Sequence, residues 1–129
     1  MKKVRTSDLT GALVALESNI AAIRGRDTEA YLAHYLNSSD LIVVGGDSLR
    51  RGYFMFSEAR RASDEWPDTL IVGEPHLVWI SPGVVWGGFE YLAVMSGDTT
   101  RGFSERLFVK TGGGWKIAVT GSAERCDCP

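Results

Sequence analysis

Glu105 is the side chain that the strand pattern of this sequence singles out for chemistry. If the turn before Arg101 is centred on Asp98, Tyr91 lies opposite Glu105, and side-chain alternation places Glu105 on an apolar sheet face. A carboxylate among such side chains is costly unless it is paired, hydrogen-bonded or protonated. A desolvated carboxyl group exchanges protons near neutral pH, so Glu105 is predicted as a general acid or base, with the Tyr91 hydroxyl beside it. The alternative is a structural carboxyl group, solvated or bonded to a tyrosine.

The same alternation divides the last strands between two sheet faces. The face predicted to lie under the helices carries Val85, Phe89, Tyr91, Phe103, Glu105, Leu107, Val109, Trp115, Ile117 and Val119. The other face should be polar if water covers it, yet apolar side chains interrupt it. We interpret it as a homodimer interface formed sheet on sheet, with Trp86 and Phe108 among its residues and Glu90 and Arg106 as a cross-strand pair. The alternative is a set of scattered surface apolar residues.

Three helices are predicted in the first half of the chain. Apolar residues recur at steps of three and four between residues 7 and 25, which is the period of one helix face. A second, short helix begins near Asp27, whose side chain can cap it, and a third runs from Ser48 to about Trp66. A short buried strand at residues 41–44 lies between the second and third helices.

From residue 69 onward the apolar period changes to two. This period predicts four long strands, at about residues 70–80, 84–96, 101–111 and 115–122. Their connections are short and rich in turn formers, so the strands should be consecutive antiparallel neighbours. A three-residue loop at 112–114 would pair Glu105 with Gly121. The expected fold is an α+β domain in which three N-terminal helices cover one face of a curved antiparallel sheet.

The composition of the 129-residue chain is that of one globular domain. We expect a single domain over 1–129, with a core at about 7–122 and a tail at 123–129. The net charge of −2 gives no basic face for nucleic acid. No apolar stretch approaches the roughly 18 residues of a membrane span, and acidic residues interrupt any signal-like segment. A cytoplasmic protein without a membrane or nucleic-acid partner is expected.

No metal and no cofactor is predicted. Cys126 and Cys128 form a Cys-x-Cys pair, but a structural zinc ion takes four ligands, and His34 and His76 are isolated in the sequence. We expect the two cysteines to lie in an exposed, reducible tail, and His76 to have a structural or exposed role.

Three segments carry a family resemblance. The first is an opening helix followed by residues 26–36 (RDTEAYLAHYL) and a short strand, and the second is Arg51-Gly52 at the start of the third helix. The third is the hairpin of residues 108–117 (FVKTGGGWKI), with Ser122 after it. Over about residues 9–122 the chain resembles the SnoaL-like, ketosteroid-isomerase-like branch of the nuclear transport factor 2 superfamily.

The resemblance implies a cone-shaped curved sheet wrapped by helices (a cystatin-like α+β roll), a pocket at the wide end, and dimers formed through the sheets. Its members include isomerases, cyclases, dehydratases and epoxide hydrolases, as well as non-catalytic association domains, so the fold does not give the function. Gly121 stands where many relatives place a His. The catalytic sets of the steroid isomerases and epoxide hydrolases have no counterpart at matching positions, so no catalytic residue is carried over.

Two functional hypotheses follow. In the first, the cone pocket binds a small, largely apolar organic molecule and Glu105 moves a proton without a cofactor. The pocket would be lined by Tyr31, Tyr35, Phe54, Trp66, Phe89, Phe103 and Trp115. In the second, the protein is a non-catalytic dimeric ligand-binding or association module. A cavity of about 300 Å³ or more that contains Glu105 favours the first hypothesis, and a cone filled by Phe and Trp favours the second.

Overall fold

The computed structural model describes residues 2–125. Its elements, in chain order, are α1 (Lys2–Arg24), α2 (Thr28–Leu32), β1 (Ile42–Gly45), β2 (Ser48–Arg51), α3 (Tyr53–Ala62), β3 (Thr69–Val72), β4 (His76–Ser81), β5 (Val84–Met95), β6 (Asp98–Thr111) and β7 (Gly114–Glu124). Cys126 and Cys128 lie outside the described residues, so the expected reducible tail stays a prediction.

The strands form one curved sheet in the order β2-β1-β7-β6-β5-β3, and β4 also pairs with β5. Both β3 and β4 use the edge of β5 that β6 leaves free: β4 pairs with its first half and β3 with its second half. The sheet therefore bends between these two partners. β1 runs parallel to β7, whereas the other pairs in residues 2–125 are antiparallel. The predicted α+β class with a curved sheet is confirmed.

Two element boundaries differ from the sequence-based expectation. The strand expected at 70–80 is divided into β3 and β4 by Gly73-Glu74-Pro75, because proline has no N–H to give to a strand ladder. The third helix begins at Tyr53 rather than Ser48. Gly52 has φ = 104°, a conformation that favours glycine, so the helix cannot extend backward through it. Residues 48–51 instead form β2, which pairs with β1.

The turn between β5 and β6 sets the register of the longest hairpin. Met95 pairs with Asp98, so the turn consists of Ser96 and Gly97, both at positive φ (52° and 86°). Positive φ at both central residues is typical of the tight hairpin turn that matches strand twist. The predicted longer loop is wrong, and the register shifts by three positions: Gly88, not Tyr91, lies opposite Glu105. An odd shift turns every side chain of β6 to the other face.

The hairpin between β6 and β7 is closer to the expectation. Glu105 pairs with Gly121 as predicted. A bulge between Leu107 and Phe108 then shifts the register by one, and Thr111 pairs with Gly114 across a turn of two residues rather than three. The bulge places Phe108 opposite Ile117, and both are fully buried.

The two faces of the sheet therefore have different contents from those expected. The helix-covered face packs on α1 and carries Val85, Phe89, Arg106, Phe108 and Ile117. The open face, on the other side, carries Trp86, Glu90, Phe103, Glu105 and Leu107.

The predicted faces of β6 are wrong as a result, and Leu107, expected under the helices, lies on the open face. Arg106 and Phe108, expected on the dimer face, lie on the helix-covered face and are 5% and 0% exposed. Phe103 and Glu105, expected under the helices, lie on the open face and are exposed to solvent.

Asp8 fastens α1 to the sheet. This carboxylate is buried, and its Oδ2 accepts hydrogen bonds from the Gly83 amide (2.8 Å) and from Trp79 Nε1 (3.0 Å). These donors, the Gly83 amide most strongly, lower the pKa of Asp8. Asp8 therefore stabilises the folded state above the pKa of an unfolded aspartate, and this contribution disappears as the pH falls through the lowered pKa.

We predict that Asp8→Asn lowers the thermal unfolding midpoint at pH 7, because the amide replaces a charged acceptor of two hydrogen bonds. The difference from the natural chain should vanish in acid, where the carboxyl group is protonated. Thermal melts across this pH range measure it, and Asp47→Asn, at an exposed site beside β2, is the control. Equal midpoints at pH 7 would contradict the role of Asp8.

Candidate functional site

An aromatic cluster lies between the helices and the sheet. It consists of Tyr31, Tyr35, Phe56 and Trp66. The ring centroids of Tyr35 and Phe56 are 4.7 Å apart, those of Tyr31 and Tyr35 5.0 Å, and those of Tyr31 and Trp66 5.6 Å. Three of these residues, Tyr31, Tyr35 and Trp66, were predicted as pocket residues. Phe56 takes the place expected for Phe54, which is 71% exposed on the outer side of α3.

Local interactions hold the cluster in place. Asp27 caps α2 by accepting a hydrogen bond from the Ala30 amide (3.1 Å), and α2 presents Tyr31 to the sheet. The Tyr35 hydroxyl donates to the Tyr31 hydroxyl at 2.9 Å. Burial is the largest cause that raises the pKa of Tyr31 well above its usual range, so this hydroxyl keeps its proton.

Arg106 lies behind this cluster on the helix-covered face. Its Nε donates to Asn19 Oδ1 (3.1 Å) and its Nη1 donates to Ser104 Oγ (2.8 Å). The guanidinium carbon lies 5.0 Å from the centroid of the Phe89 ring. This interior cation was not predicted, because the expected register of β6 directs Arg106 to the other face.

A cavity of about 620 Å³ opens on the other side of the sheet, and we call it the open-face cavity. Trp86 and Phe103 supply aromatic surface, and Glu74, Glu90, Glu105 and His76 supply titratable groups. Val44, Phe89 and Ala123 add apolar lining, and Ser104 and Ser122 add hydroxyl groups. A second cavity, of about 590 Å³, lies between α1 and residues 72–77, but none of the predicted pocket residues lines it.

Glycines keep the space around Glu105 open. Glu105 lies between Gly88 on β5 and Gly121 on β7. On β4, His76 pairs with Gly88, so His76, Gly88 and Glu105 form one row across three neighbouring strands. At the usual strand spacing, the Cα atoms of His76 and Glu105 are about 10 Å apart. The Trp86 ring leans over Gly88. The indole therefore lies in this row, between the positions of Glu105 and His76.

The structure does not bring Tyr91 and Glu105 together. Tyr91 pairs with Gly102, and its side chain lies on the helix-covered face, where burial raises its pKa. Glu105 is exposed rather than buried, so the expected desolvation by neighbouring side chains is absent. Trp115 lies at the other end of the sheet, against Gly11 of α1. The catalytic roles given to Glu105 and Tyr91 stay predictions.

Trp86 and Glu90 lie on the open face, as expected. Their predicted partner Arg106 lies on the other face, so the expected Glu90–Arg106 pair does not form; Phe103 is opposite Glu90. His76 lines the cavity although its isolation in sequence gave no signal for a site. Only the strand pairing, His76 with Gly88 and Gly88 with Glu105, brings it into the row.

Within residues 2–125, no group of three or more His, Cys, Asp or Glu side chains is arranged to hold a metal ion. None of the helices in that range is both long and apolar enough to cross a membrane.

Comparisons with solved structures identify the fold. A cystatin-like fold protein from Burkholderia xenovorans LB400 superposes with a TM-score of 0.81 at 14% identity, over 95% of each chain. A nuclear transport factor 2-like protein of unknown function from Shewanella oneidensis MR-1 gives 0.73 at 19% identity, over 91% of this chain and 97% of that one. This chain has the nuclear transport factor 2-like fold.

A protein from Parabacteroides distasonis, provisionally named a ketosteroid isomerase, shares the nuclear transport factor 2-like fold with a TM-score of 0.73. It is 12% identical and is matched over 87% of this chain and 86% of that one. No family model matches the sequence, and no curated protein matches it. At these identities the likeness establishes the fold, and the site must be argued from its own residues.

The two glycines beside Glu105 give a matched pair of variants. A methyl group at Gly88 would collide with Cη2 of Trp86 and lie 2.8 Å from its Cζ2, whereas a methyl group at Gly121 would lie 3.6 Å from Glu105 Cγ, an ordinary contact. We predict that Gly88→Ala rotates the Trp86 side chain and thereby changes its near-ultraviolet circular dichroism. The Trp86 contribution to the spectrum is identified by comparison with the Trp86→Phe variant. Gly121→Ala should leave that signal unchanged. An unchanged signal in Gly88→Ala would contradict the position of the indole.

Proposed function

We propose that the protein binds a small, largely apolar organic molecule in the open-face cavity. The cavity itself carries the proposal: at about 620 Å³ it falls within the usual range of small-molecule sites. Its aromatic side chains offer apolar surface, and its few polar groups can orient a ligand. This places the ligand on the opposite side of the sheet from the pocket that the sequence analysis expected.

Trp86 and Phe103 are the anchors of this proposed site. They lie on neighbouring strands, and Phe103 is 48% exposed, so a ligand that covers its ring removes apolar surface from water. The Trp86 ring covers Gly88, in the space that a Cβ would need there, so a flat ligand would stack on the indole rather than on the glycine. The Glu90 and Glu105 carboxylates flank these rings and would accept hydrogen bonds from a ligand.

Acid–base chemistry by Glu105 is the finer part of the proposal. Glu105 lines the cavity and is exposed, so a ligand in the cavity can reach its carboxylate. A ligand that covers Glu105 would exclude water, which strengthens the interaction between the carboxylate and a proton-donating group of the ligand. Tyr91 is on the other face, so this proposal assigns it no part in proton transfer.

Binding can be tested with Nile red, a neutral apolar fluorophore. We predict that Phe103→Ala weakens Nile red binding by about tenfold or more, because it removes an aromatic wall of the cavity. Phe54→Ala removes a similarly exposed ring from α3, away from the cavity, and should not change the affinity. Fluorescence titration gives both dissociation constants. Equal affinities for Phe103→Ala and the natural chain would contradict the proposed site.

The chemical step requires a separate experiment. Native mass spectrometry of the purified protein identifies a molecule that copurifies with it, and that molecule is then incubated with fresh protein. We predict that Glu105→Gln binds it but converts it at least about a hundredfold more slowly, because the amide cannot take up a proton. Undiminished conversion by Glu105→Gln would remove Glu105 from the proposal, and binding without conversion by the natural chain favours the non-catalytic module.

A second proposed function is homodimerisation through the open face. This face exposes Val78 (52%), and also Ile71, Ile80 and Phe103, beside the half-buried Trp86. A continuous apolar patch of this kind is typical of a partner surface. An identical face on a second copy is self-complementary about a two-fold axis, and such a dimer would close the open-face cavity.

We predict a particle of twice the monomer mass in solution, which Val78→Lys converts to a monomer because a charge cannot be desolvated in an apolar interface. Val14→Lys is the matched control: Val14 is 60% exposed, but it lies on α1 rather than on the open face. Sedimentation equilibrium measures the particle mass of the natural chain and of each variant, and so distinguishes a dimer from a monomer. A monomeric natural chain, or a dimer that Val78→Lys leaves intact, would contradict this interface.

A further inference from the structure

Arg106 is a buried cation that the protein leaves without a counter-ion. It is 5% exposed, and no ion pair within residues 2–125 includes it. Its acceptors are neutral: Asn19 Oδ1 and Ser104 Oγ. A charge taken out of water without an opposite charge is costly, so interior arginines are normally paired. Its Nη2 makes no hydrogen bond to any part of the chain that the structure describes.

The residue beside it also has an unused donor. Asn19 is fully buried, and its Nδ2 has no hydrogen-bond partner. Its Oδ1 already accepts the hydrogen bond from Arg106, so the amide orientation fits that contact and directs two N–H groups elsewhere. A buried donor without an acceptor destabilises the folded state, because the group loses its hydrogen bonds to water.

Two further donors lie close by. The Tyr31 hydroxyl accepts from Tyr35, which leaves its own proton free to be donated. The positive charges of Arg106 and Arg60 both lower the pKa of Tyr31, but burial outweighs them, so Tyr31 supplies no negative charge. Arg60 is stacked 3.9 Å above Trp66, and its buried Nε has no partner either. The donors of Arg60 that are satisfied contact backbone carbonyls of Ser63 and Glu65, not carboxylates.

The polar groups that converge here are therefore donors and cations. We propose that Arg106, Asn19 and Tyr31 form an interior subsite that binds the carboxylate group of a small organic acid. A carboxylate is planar and carries two acceptor oxygens, which matches the fork of a guanidinium group and an adjacent amide. Phe89 beneath Arg106, together with the aromatic cluster, offers apolar surface to the remainder of the acid.

The donors of this subsite and the carboxylate of the open-face cavity lie on opposite faces of the sheet, although Phe89 and Ser104 border both places. Arg106 and Glu105 are consecutive in β6, so their side chains leave the sheet on opposite faces. A neutral ligand can occupy the open-face cavity while the interior subsite is empty. Binding at the two places can therefore be measured independently, and either can fail without the other.

Acetate and acetamide form a matched pair of probes, because they differ in charge but little in shape. We expect sodium acetate to shift the ¹H–¹⁵N resonance of Arg106 Nε in a saturable manner. Acetamide should cause no saturable shift of this resonance. The shift caused by sodium chloride at the same ionic strength should be at least about tenfold smaller than the shift caused by acetate. The titration uses the natural chain with its Arg106 Nε resonance assigned by through-bond correlation. An acetate shift that is linear, or equal to that of chloride, means a non-specific ion effect and overturns the proposal.

Asn19→Asp supplies a carboxylate from the chain itself. We expect this variant to melt at a higher temperature than the natural chain and to lose the saturable response to acetate, since the new side chain becomes the counter-ion of Arg106. Asn37→Asp, at an exposed position, should change neither property. Acetate binding by Asn19→Asp with unchanged affinity would overturn the proposal. If Asn19→Asp does not fold, the proposal is tested by the titrations of the natural chain with acetate, acetamide and chloride alone.

Discussion

The two-residue turn at Ser96-Gly97 is the constraint on which the arrangement of both faces depends. Both residues have positive φ, and they close the hairpin so that Met95 pairs with Asp98. Every pair along β5 and β6 then follows, because the chain has no bulge between these strands. One more residue in the turn would reverse the faces of β6 relative to β5. The turn therefore directs Glu105 outward and Arg106 inward.

The two faces have opposite chemistry as a consequence. The open face combines apolar and aromatic side chains with carboxylates, and glycines beside Glu105 leave it accessible. The helix-covered face combines the aromatic cluster with Arg106, which forms no ion pair with any carboxylate among the described residues. The first is suited to an apolar ligand or a second copy of the chain, and the second to an anion. The nuclear transport factor 2-like fold alone specifies neither.

Much of the fold could be predicted from hydrophobic periodicity, and most of the site could not. The period of α1 and the two-residue period of β5 to β7 are strong local signals, and the Glu105–Gly121 pairing was predicted from the glycine-rich turn. Asp98 and the threonines after it are typical turn formers, yet here they begin β6, because the backbone of Ser96 takes the strained conformation instead. That single difference exchanged Arg106 and Glu105 between the faces. Phe56 rather than Phe54 faces inward, and the sequence did not distinguish the two because both are aromatic residues of the same predicted helix.

The register of β5 against β6 is the most direct test of this account, because both proposed sites require it. Nuclear Overhauser contacts between backbone protons of facing residues report the register in solution. The structure requires cross-strand contacts between Glu90 and Phe103 and between Gly88 and Glu105. Contacts between Tyr91 and Glu105, or between Glu90 and Arg106, would show Glu105 on the same face as Tyr91 and would contradict the account.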